Sequence, residues 1–284
     1  MNIIVLVKQV PDTHNVGSDA MTEEGTVNRA ALPAIFNPDD MNALEMALRL
    51  KEKYGGKVTL ITMGLPKAEE ILRDGVMRGA DNGILLTDRA LGGADTLATS
   101  YSLSQAIKKV GTYDIILCGR QAIDGDTAQV GPQVAEKLGL PQVTYVEEII
   151  GLSGSEGSEG FDGSEGSEGS EGSEVASLVL RRKIDGGVET VECPLPCLLT
   201  VNGSAAKCRS RNVKRVMQYK KTEFQRWGAT DIDADPLLIG KTGSPTNVKA
   251  VKNIVFKAKE ARTLSASDAD ISELVKELVE NNTI

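Results

Sequence analysis

Gly119-Arg-Gln-Ala-Ile-Asp-Gly-Asp-Thr-Ala-Gln-Val-Gly-Pro132 is the stretch that decides the fold of this chain. It follows Tyr113-Asp-Ile-Ile-Leu-Cys118, whose apolar run predicts a buried strand. It leads into 128–138, whose spacing of apolar residues predicts a helix. A polar, glycine-containing turn from strand to helix has the outline of an anion site. The first N–H groups of a helix have no partner inside it, and its dipole is positive at that end. Asp126 or Thr127 can cap this helix, and Gly119 and Gly125 let backbone approach a ligand closely. Neither G-x-G-x-x-G nor G-x-x-x-x-G-K-[ST] is present, so the loop is not a dinucleotide fingerprint or a P-loop. The loop alone leaves two readings open, a nucleotide site and an ordinary strand-to-helix connection.

Working outward, the first 150 residues alternate strand and helix. Strand patterns fall at 2–8, 57–63, 83–87, 113–118 and, shorter, 142–150. They are continuous apolar runs rich in β-branched residues, as expected of strands covered on both faces. Helical patterns lie between them at 39–53, 68–78, 96–109 and 128–138. Asn37-Pro38 marks entry to the first helix and Gly55-Gly56 its end. This order predicts an α/β fold, a Rossmann-like parallel sheet with right-handed crossovers. Ligands of such sheets bind beyond the C-terminal ends of the strands. The loops there are 8–12, 64–66, 88–95 and 119–126.

Beyond residue 150 the pattern changes. Residues 154–174 read GSEGSEGFDGSEGSEGSEGSE, a period-three tract with only Phe161 apolar. Such a tract buries too little surface to offset its ordering entropy, so a disordered, solvated loop is expected. The strand-like runs 142–150 and 175–183 flank it, and Asp185-Gly-Gly187 turns into 188–192. The insert is therefore expected at the tip of a β-hairpin appendage. Residues 194–221 carry Lys207, Arg209, Arg211, Lys214, Arg215, Lys220 and Lys221. Two readings stand here, a solvated basic face and a docking surface for an acidic partner. The division expected is a nucleotide-binding domain over 1–150 and 175–221, the insert, and a C-terminal extended arm over 222–284. The arm closes in an amphipathic helix at 267–280 bearing Ile271, Leu274, Val275, Leu278 and Val279. With no core of its own, it is expected to wrap another subunit.

Composition narrows the function. Of the 284 residues 4% are aromatic, which argues against base-stacking platforms. The net charge is −8, and the insert alone carries seven acidic residues, so the remainder is close to −1. Nothing in that balance points to nucleic acid. No apolar run approaches the ~20 residues needed to span a membrane. The first residues read as a strand rather than a secretion signal. The expectation is a soluble, cytoplasmic protein with reduced thiols. Of its four cysteines, Cys118 ends an apolar strand, and Cys193-Pro-Leu-Pro-Cys197 is too tightly spaced for a usual zinc knuckle.

Enzymatic constellations are hard to assemble. His14 is the single histidine and sits in a polar segment, so a histidine triad has no setting. H-E-x-x-H and G-x-S-x-G are both missing. Asp124 and Asp126 can act as an acid–base pair or hold Mg²⁺, but carboxylates at a helix start are more often caps. A nucleotide site without reactive side chains implies that a cofactor carries the chemistry.

Several segments together resemble the β subunit of electron transfer flavoproteins. They are Val7-Lys-Gln-Val-Pro-Asp12, Asn37-Pro38 with Ala43-Leu-Glu45, and Arg78-Gly-Ala-Asp81. Gly119-x-Gln-Ala-Ile-Asp-Gly-Asp126, Gln129-Val-Gly131, Pro141 and Lys220-Lys221 complete the set. The resemblance runs over essentially the whole chain except the insert, and Gly119 to Pro132 is its most specific part. It implies a heterodimer with an FAD-carrying α subunit. It also implies a nucleotide buried in the β subunit, AMP in housekeeping members and a second FAD, reduced by NADH, in members that bifurcate electrons. By position, nucleotide contacts fall on Leu6, Asn37, Asp39, Met63, Gln121, Ala122, Ile123, Asp124, Gly125, Asp126, Thr127, Ala128, Gln129, Val130, Gly131 and Pro132. In the bifurcating branch Asp95, Thr96 and Thr99 also serve the flavin. Asp39-Asp40, Ala94-Asp-Thr96 and Gly243-Ser-Pro-Thr246 resemble that branch. Implied partners are an acyl-CoA dehydrogenase or other flavin dehydrogenase, and ferredoxin or flavodoxin. The leucine that anchors housekeeping members onto dehydrogenases has no counterpart in Gly203-Ser-Ala-Ala206. The residues themselves also allow a nucleotide-binding regulator like the universal stress proteins, which share this sheet type. The long extension and the hairpin argue against it.

Overall fold

Four parallel strands form the centre of the chain's sheet: β1 (Asn2–Leu6), β4 (Lys57–Met63), β5 (Asn82–Leu86) and β6 (Ile115–Gly119). The computed structural model describes residues 1–12, 33–153, 176–246 and 263–281. His14 and the insert at 154–174 lie outside the described residues. The strands alternate with α1 (Pro38–Tyr54), α2 (Glu69–Arg78), α3 (Thr96–Val110) and α4 (Val130–Leu138). The Rossmann-like α/β arrangement expected from the sequence is present. The short strands β2 (Gln9–Pro11) and β3 (Ala34–Phe36) pair antiparallel beside it, where the sequence predicted only a loop at 8–12.

The large sheet has nine strands in the order β11 (Gln225–Trp227), β5, β4, β1, β6, β10 (Cys197–Val201), β7 (Gln142–Ser153), β8 (Ser177–Ile184) and β9 (Gly187–Pro194). From β1 the chain builds outward through β4 and β5, then returns through α3 to place β6 on the other side of β1. The strand order therefore reverses between β1 and β6, and ligands on open α/β sheets seat in that crevice. Helices cover both faces. One apolar cluster joins Leu44, Leu48, Leu72 and Val76 of α1 and α2 to Val5, Leu60 and Leu117 of the sheet. The other joins Leu103, Ile107 and Val134 of α3 and α4 to Ile4, Ile61 and Ile116. Full burial of one such side chain contributes about 1.5–3 kcal/mol.

One central strand escaped the sequence reading. β10 (Cys197–Val201) lies between β6 and β7 (Gln142–Ser153), parallel to both, and every residue of it is buried. Its five-residue apolar run stands between proline and asparagine, at the head of a segment dominated by basic residues. β7 pairs antiparallel with β8 (Ser177–Ile184), Ser153 opposite Ser177, and β8 pairs with β9 (Gly187–Pro194).

The basic segment is partly consumed within the chain. Arg209 donates to Glu45 of α1 at 2.9 Å, Arg211 to Asp74 of α2 at 2.6 Å and Arg215 to the Val76 carbonyl at 2.8 Å. These bonds dock α5 (Val213–Tyr219), a helix not anticipated from the sequence, against α2. Lys207, Lys214, Lys220 and Lys221 remain exposed.

The C-terminal segment divides in two. β11 (Gln225–Trp227) adds to the free edge of β5, and Phe224, Ala229, Ile232 and Ile239 are buried against the body. Residues 222–246 thus pack on this chain, because their apolar side chains find its sheet edge and α3. Beyond 246 the described residues resume at 263. α6 (Asp268–Glu280) is capped by Ser267 and buries no residue, and Ile271, Leu274, Val275 and Val279 all lie exposed.

Candidate functional site

The crevice between β1 and β6 is organised by the first turn of α1. Asn37 precedes that helix but gives it no side-chain cap. Its amide is used elsewhere, donating to the Gln121 carbonyl at 2.8 Å and accepting from the Ile123 N–H at 3.2 Å. Asn37 is 0% exposed, so both bonds form away from water, where an unpaired partner would be costly. One turn on, Asp40 is 6% exposed. It accepts from the Lys8 N–H at 2.8 Å and the Gly119 N–H at 2.9 Å. One carboxylate therefore joins the ends of the two strands that flank the crevice. Lys8 closes the arrangement from above with an ammonium 2.8 Å from Asp124.

Burial pushes the Asp40 carboxyl up to about 7, against the two backbone bonds and Asn37, which favour the ionised form. Burial also raises Asp39, opposed by the guanidinium of Arg120 3.7 Å away. Arg120 spreads over the Tyr145 ring at 5.7 Å, and its Nε is buried without a hydrogen-bond partner. Tyr145 holds a left-handed backbone, φ 59°, where β7 slips register against β10. Such strain in a bulky residue costs energy and persists only when its surroundings enforce it.

The loop from Gly119 to Gln129 is shaped by two further left-handed residues, Asp126 at φ 48° and Ala128 at φ 53°. Left-handed residues interspersed along a turn aim successive N–H groups into one concavity, a nest for an anion. α4 begins at Val130, so its own unpaired N–H groups join that nest. The expected cap by Asp126 or Thr127 does not form. Residue 128 is not helical, Gln129 holds the cap position without a side-chain bond, and Asp126 accepts instead from Gln121 Nε2 at 2.7 Å. Gly131 is required by space: a β-carbon there would stand 2.7 Å from Cys118 Sγ and 2.8 Å from Thr200 Cγ2. Without it α4 could not start so close to β6 and β10.

A nest of this kind recognises an anion such as phosphate. The four carboxylates here, Asp39, Asp40, Asp124 and Asp126, disfavour an anion by charge alone. Each is engaged by a donor on this chain, and those bonds leave the N–H groups of 127–131 clear. A helix start contributes about 0.3–1 kcal/mol toward a negative group, and up to about 2 where the geometry is partly buried.

Of the residues anticipated from sequence, the structure brings together Asn37, Asp39, Gln121 through Pro132 and Thr96. Thr96 Oγ1 donates to Gln129 Oε1 at 2.8 Å, joining the starts of α3 and α4. Leu6 and Met63 stand at the C-terminal ends of β1 and β4, with the Leu6 side chain buried in the core. Thr99 is partly exposed on the first turn of α3. Asp95 is fully occupied. It accepts from the Leu97 and Ala98 N–H groups at 3.0 Å and from Thr246 Oγ1 at 2.7 Å, while its own N–H donates to Ser244. Although burial works the other way, the Ala98 and Thr246 bonds hold its carboxyl below the usual range.

Asp40, Lys8 and Arg120 were given no site role from the sequence, where Asp40 stood only as part of the Asp39-Asp40 pair. A signal existed for Asp40: it falls on the stripe of α1 that continues through Ala43, Leu44, Ala47 and Leu48, all buried. A carboxylate on an apolar stripe needs buried donors.

The electron transfer flavoprotein domain model matches residues 24–232. The chain is 47% identical over 249 residues to the electron transfer flavoprotein subunit beta of Clostridium acetobutylicum, covering 88% of this chain and 86% of that one. It is 44% identical to the corresponding subunit of Thermoanaerobacterium thermosaccharolyticum, covering 99% of this chain and 97% of that one. It is 40% identical to the acryloyl-CoA reductase electron transfer subunit gamma of Anaerotignum propionicum over the full length of both. These matches identify the chain as a β subunit of the electron transfer flavoprotein family.

Proposed function

We propose that this β subunit seats FAD in the crevice between β1 and β6 and passes electrons within a heterodimer whose α subunit carries a second FAD. The single observation that supports it most is the nest of N–H groups over 127–131, shaped by left-handed Asp126 and Ala128 and completed by the start of α4. Bound flavin would supply the redox chemistry, accepting electrons from NADH in a bifurcating complex. The chain's own residues bind and orient. The N–H groups of 127–131 hold phosphate, Asn37 and Asp39 line the opposite wall, and Thr96 and Thr99 present hydroxyls to a flavin edge. Asp95 acts from behind them by fixing the start of α3. Relatives named for acryloyl-CoA and caffeyl-CoA reductase complexes support an electron-bifurcating role. The delivered electrons would go to an acyl-CoA dehydrogenase or a similar flavin dehydrogenase and to ferredoxin or flavodoxin. The exposed apolar stripe of α6 supports docking of the C-terminal arm on the α subunit. No described helix is long and apolar enough to cross a membrane, in keeping with a cytoplasmic complex.

A second reading keeps the same site with AMP as a structural nucleotide, because the nest recognises phosphate and not flavin. Co-expression with the α subunit, followed by release and mass analysis of bound nucleotides, separates the two. Two FAD and no AMP per heterodimer are expected. One FAD with one AMP would replace the flavin reading with the structural one, and no nucleotide beyond the FAD of the α subunit would overturn both.

A further inference from the structure

We propose that Asp40 is a positioning residue that ties the two strand ends of the crevice together, so that nucleotide affinity follows its ionisation. The inference rests on the nucleotide reading of the crevice. Two oxygens of one side chain meet two backbone donors from different strands. Oδ2 receives the Lys8 N–H beyond β1, and Oδ1 receives the Gly119 N–H at the end of β6. Gly119 opens the loop that forms the nest. Lys8 reaches over the same loop to Asp124. The spacing of the crevice walls is thus set through a single carboxylate.

Both bonds use acceptors only. A protonated carboxyl carries a hydrogen on one oxygen, and that hydroxyl oxygen accepts an N–H far more weakly than a carboxylate oxygen does. One of the two loops is released, and the nest loses its fixed relation to β1. The remaining surroundings do not replace it. Asp39 on the same helix is paired with Arg120, and Lys8 directs its ammonium to Asp124. From β6 the Cys118 thiol is held protonated, its loss of a proton opposed by burial and by Asp40 itself. The Asn37 amide adds a further bond that favours the ionised form. The end of β10 nearest the loop, Leu199 to Val201, carries no ionisable group, and β4 offers only Thr62 and Met63 at its crevice end. Burial raises the carboxyl into the range where cellular pH shifts change its state.

Asparagine is the diagnostic replacement. Its single oxygen accepts one N–H and its amide repels the other, which imitates the protonated acid at every pH. The full chain, freed of bound nucleotide, is titrated with FAD and separately with AMP from pH 5.5 to 8.5 by calorimetry, wild type beside Asp40→Asn. The ratio of the two affinities cancels ionisation of the ligand. It is expected to rise from about one at pH 5.5 to tenfold or more in favour of the wild type at pH 8.5. A ratio constant across pH would overturn the positioning role. So would a variant that binds more tightly at high pH, because Asp40 would then act only as a repelling charge. If neither nucleotide binds the wild type at any pH, the nucleotide reading itself fails and takes this inference with it. Should Asp40→Asn not fold, the carboxyl carbon of Asp40 is followed by NMR in the wild type, with the Lys8 and Gly119 amides. The three are expected to titrate together, and amides that stay constant while the carboxyl titrates would overturn the inference.

Discussion

Two strand-to-helix loops stand at the same edge of the sheet, one from β6 to α4 and the other from β5 to α3. The sequence marks both as nucleotide contacts, yet their hydrogen bonds are arranged in opposite ways. In the first, side chains from other elements hold the loop at Gly119, Gln121, Ile123 and Asp124, and those bonds leave the N–H groups of 127–131 clear. Asn37, Asp40 and Lys8 supply those bonds. In the second, Asp95 is spent inward on the start of α3 and on Thr246. A binding loop needs rigid geometry with unsatisfied donors, and external clamps provide both. A loop that satisfies itself is rigid but has less left for a ligand. It contributes here through the hydroxyls of Thr96 and Thr99.

The contrast can be broken by substitution. The largest effect is expected for Gly119→Ala. Its methyl carbon would stand 2.6 Å from Asp40 Oδ1 and 2.7 Å from the Asp39 backbone, so the clamp must open. A loss of about 3 kcal/mol in urea unfolding is expected, in the range of overpacked cores, with loss of nucleotide on purification. Asn37→Ala should follow, at about 1–3 kcal/mol, because a part-buried carbonyl and a part-buried N–H lose their partner. Nucleotide affinity, read by calorimetry, should fall tenfold or more. If affinity is retained, the loop does not depend on its clamps.

Asp40 gives a pH signature of its own. Its folded value lies near 7, above the ordinary 3.8. The folded form therefore binds the proton more tightly, and this contribution is present below the unfolded value and lost as pH rises through about 7. Between pH 5 and 7 it should lower the stability of the nucleotide-free chain by up to about 2 kcal/mol. Subtracting the urea stability of Asp40→Asn from that of the wild type at each pH isolates the slope. A flat difference would place the ionisation elsewhere. The smallest effect belongs to the other loop. Asp95→Ala should cost about 1 kcal/mol, as loss of a helix cap does, with faster amide exchange at Thr246. Its effect on AMP affinity should be less than threefold. A collapse of AMP binding would erase the distinction between the loops.

Much of this molecule was legible in its sequence. Apolar runs gave β1, β4, β5 and β6, and the strand-turn-helix pattern after β6 marked the loop where the candidate site lies, because each carries a local pattern. β10 was not legible: a five-residue apolar run carries no period, and its place between β6 and β7 depends on contacts distant in sequence. The start of α4 was misplaced by two residues, since left-handed Ala128 leaves no mark in composition. Asp40 was hidden for a related reason. A carboxylate in a first helical turn ordinarily serves the dipole, and only the fold reveals that its donors come from two other strands. The division within the C-terminal segment at 246 likewise rests on Phe224, Ile232 and Ile239 finding an edge no local pattern announces.

Hydrogen exchange of the full chain, with and without nucleotide, tests the central claim most directly. Slower exchange across 121–132 is expected with either AMP or FAD, and added protection over 96–99 with FAD alone. Unchanged exchange across 121–132 at saturating nucleotide would contradict the assignment of this crevice as the nucleotide site.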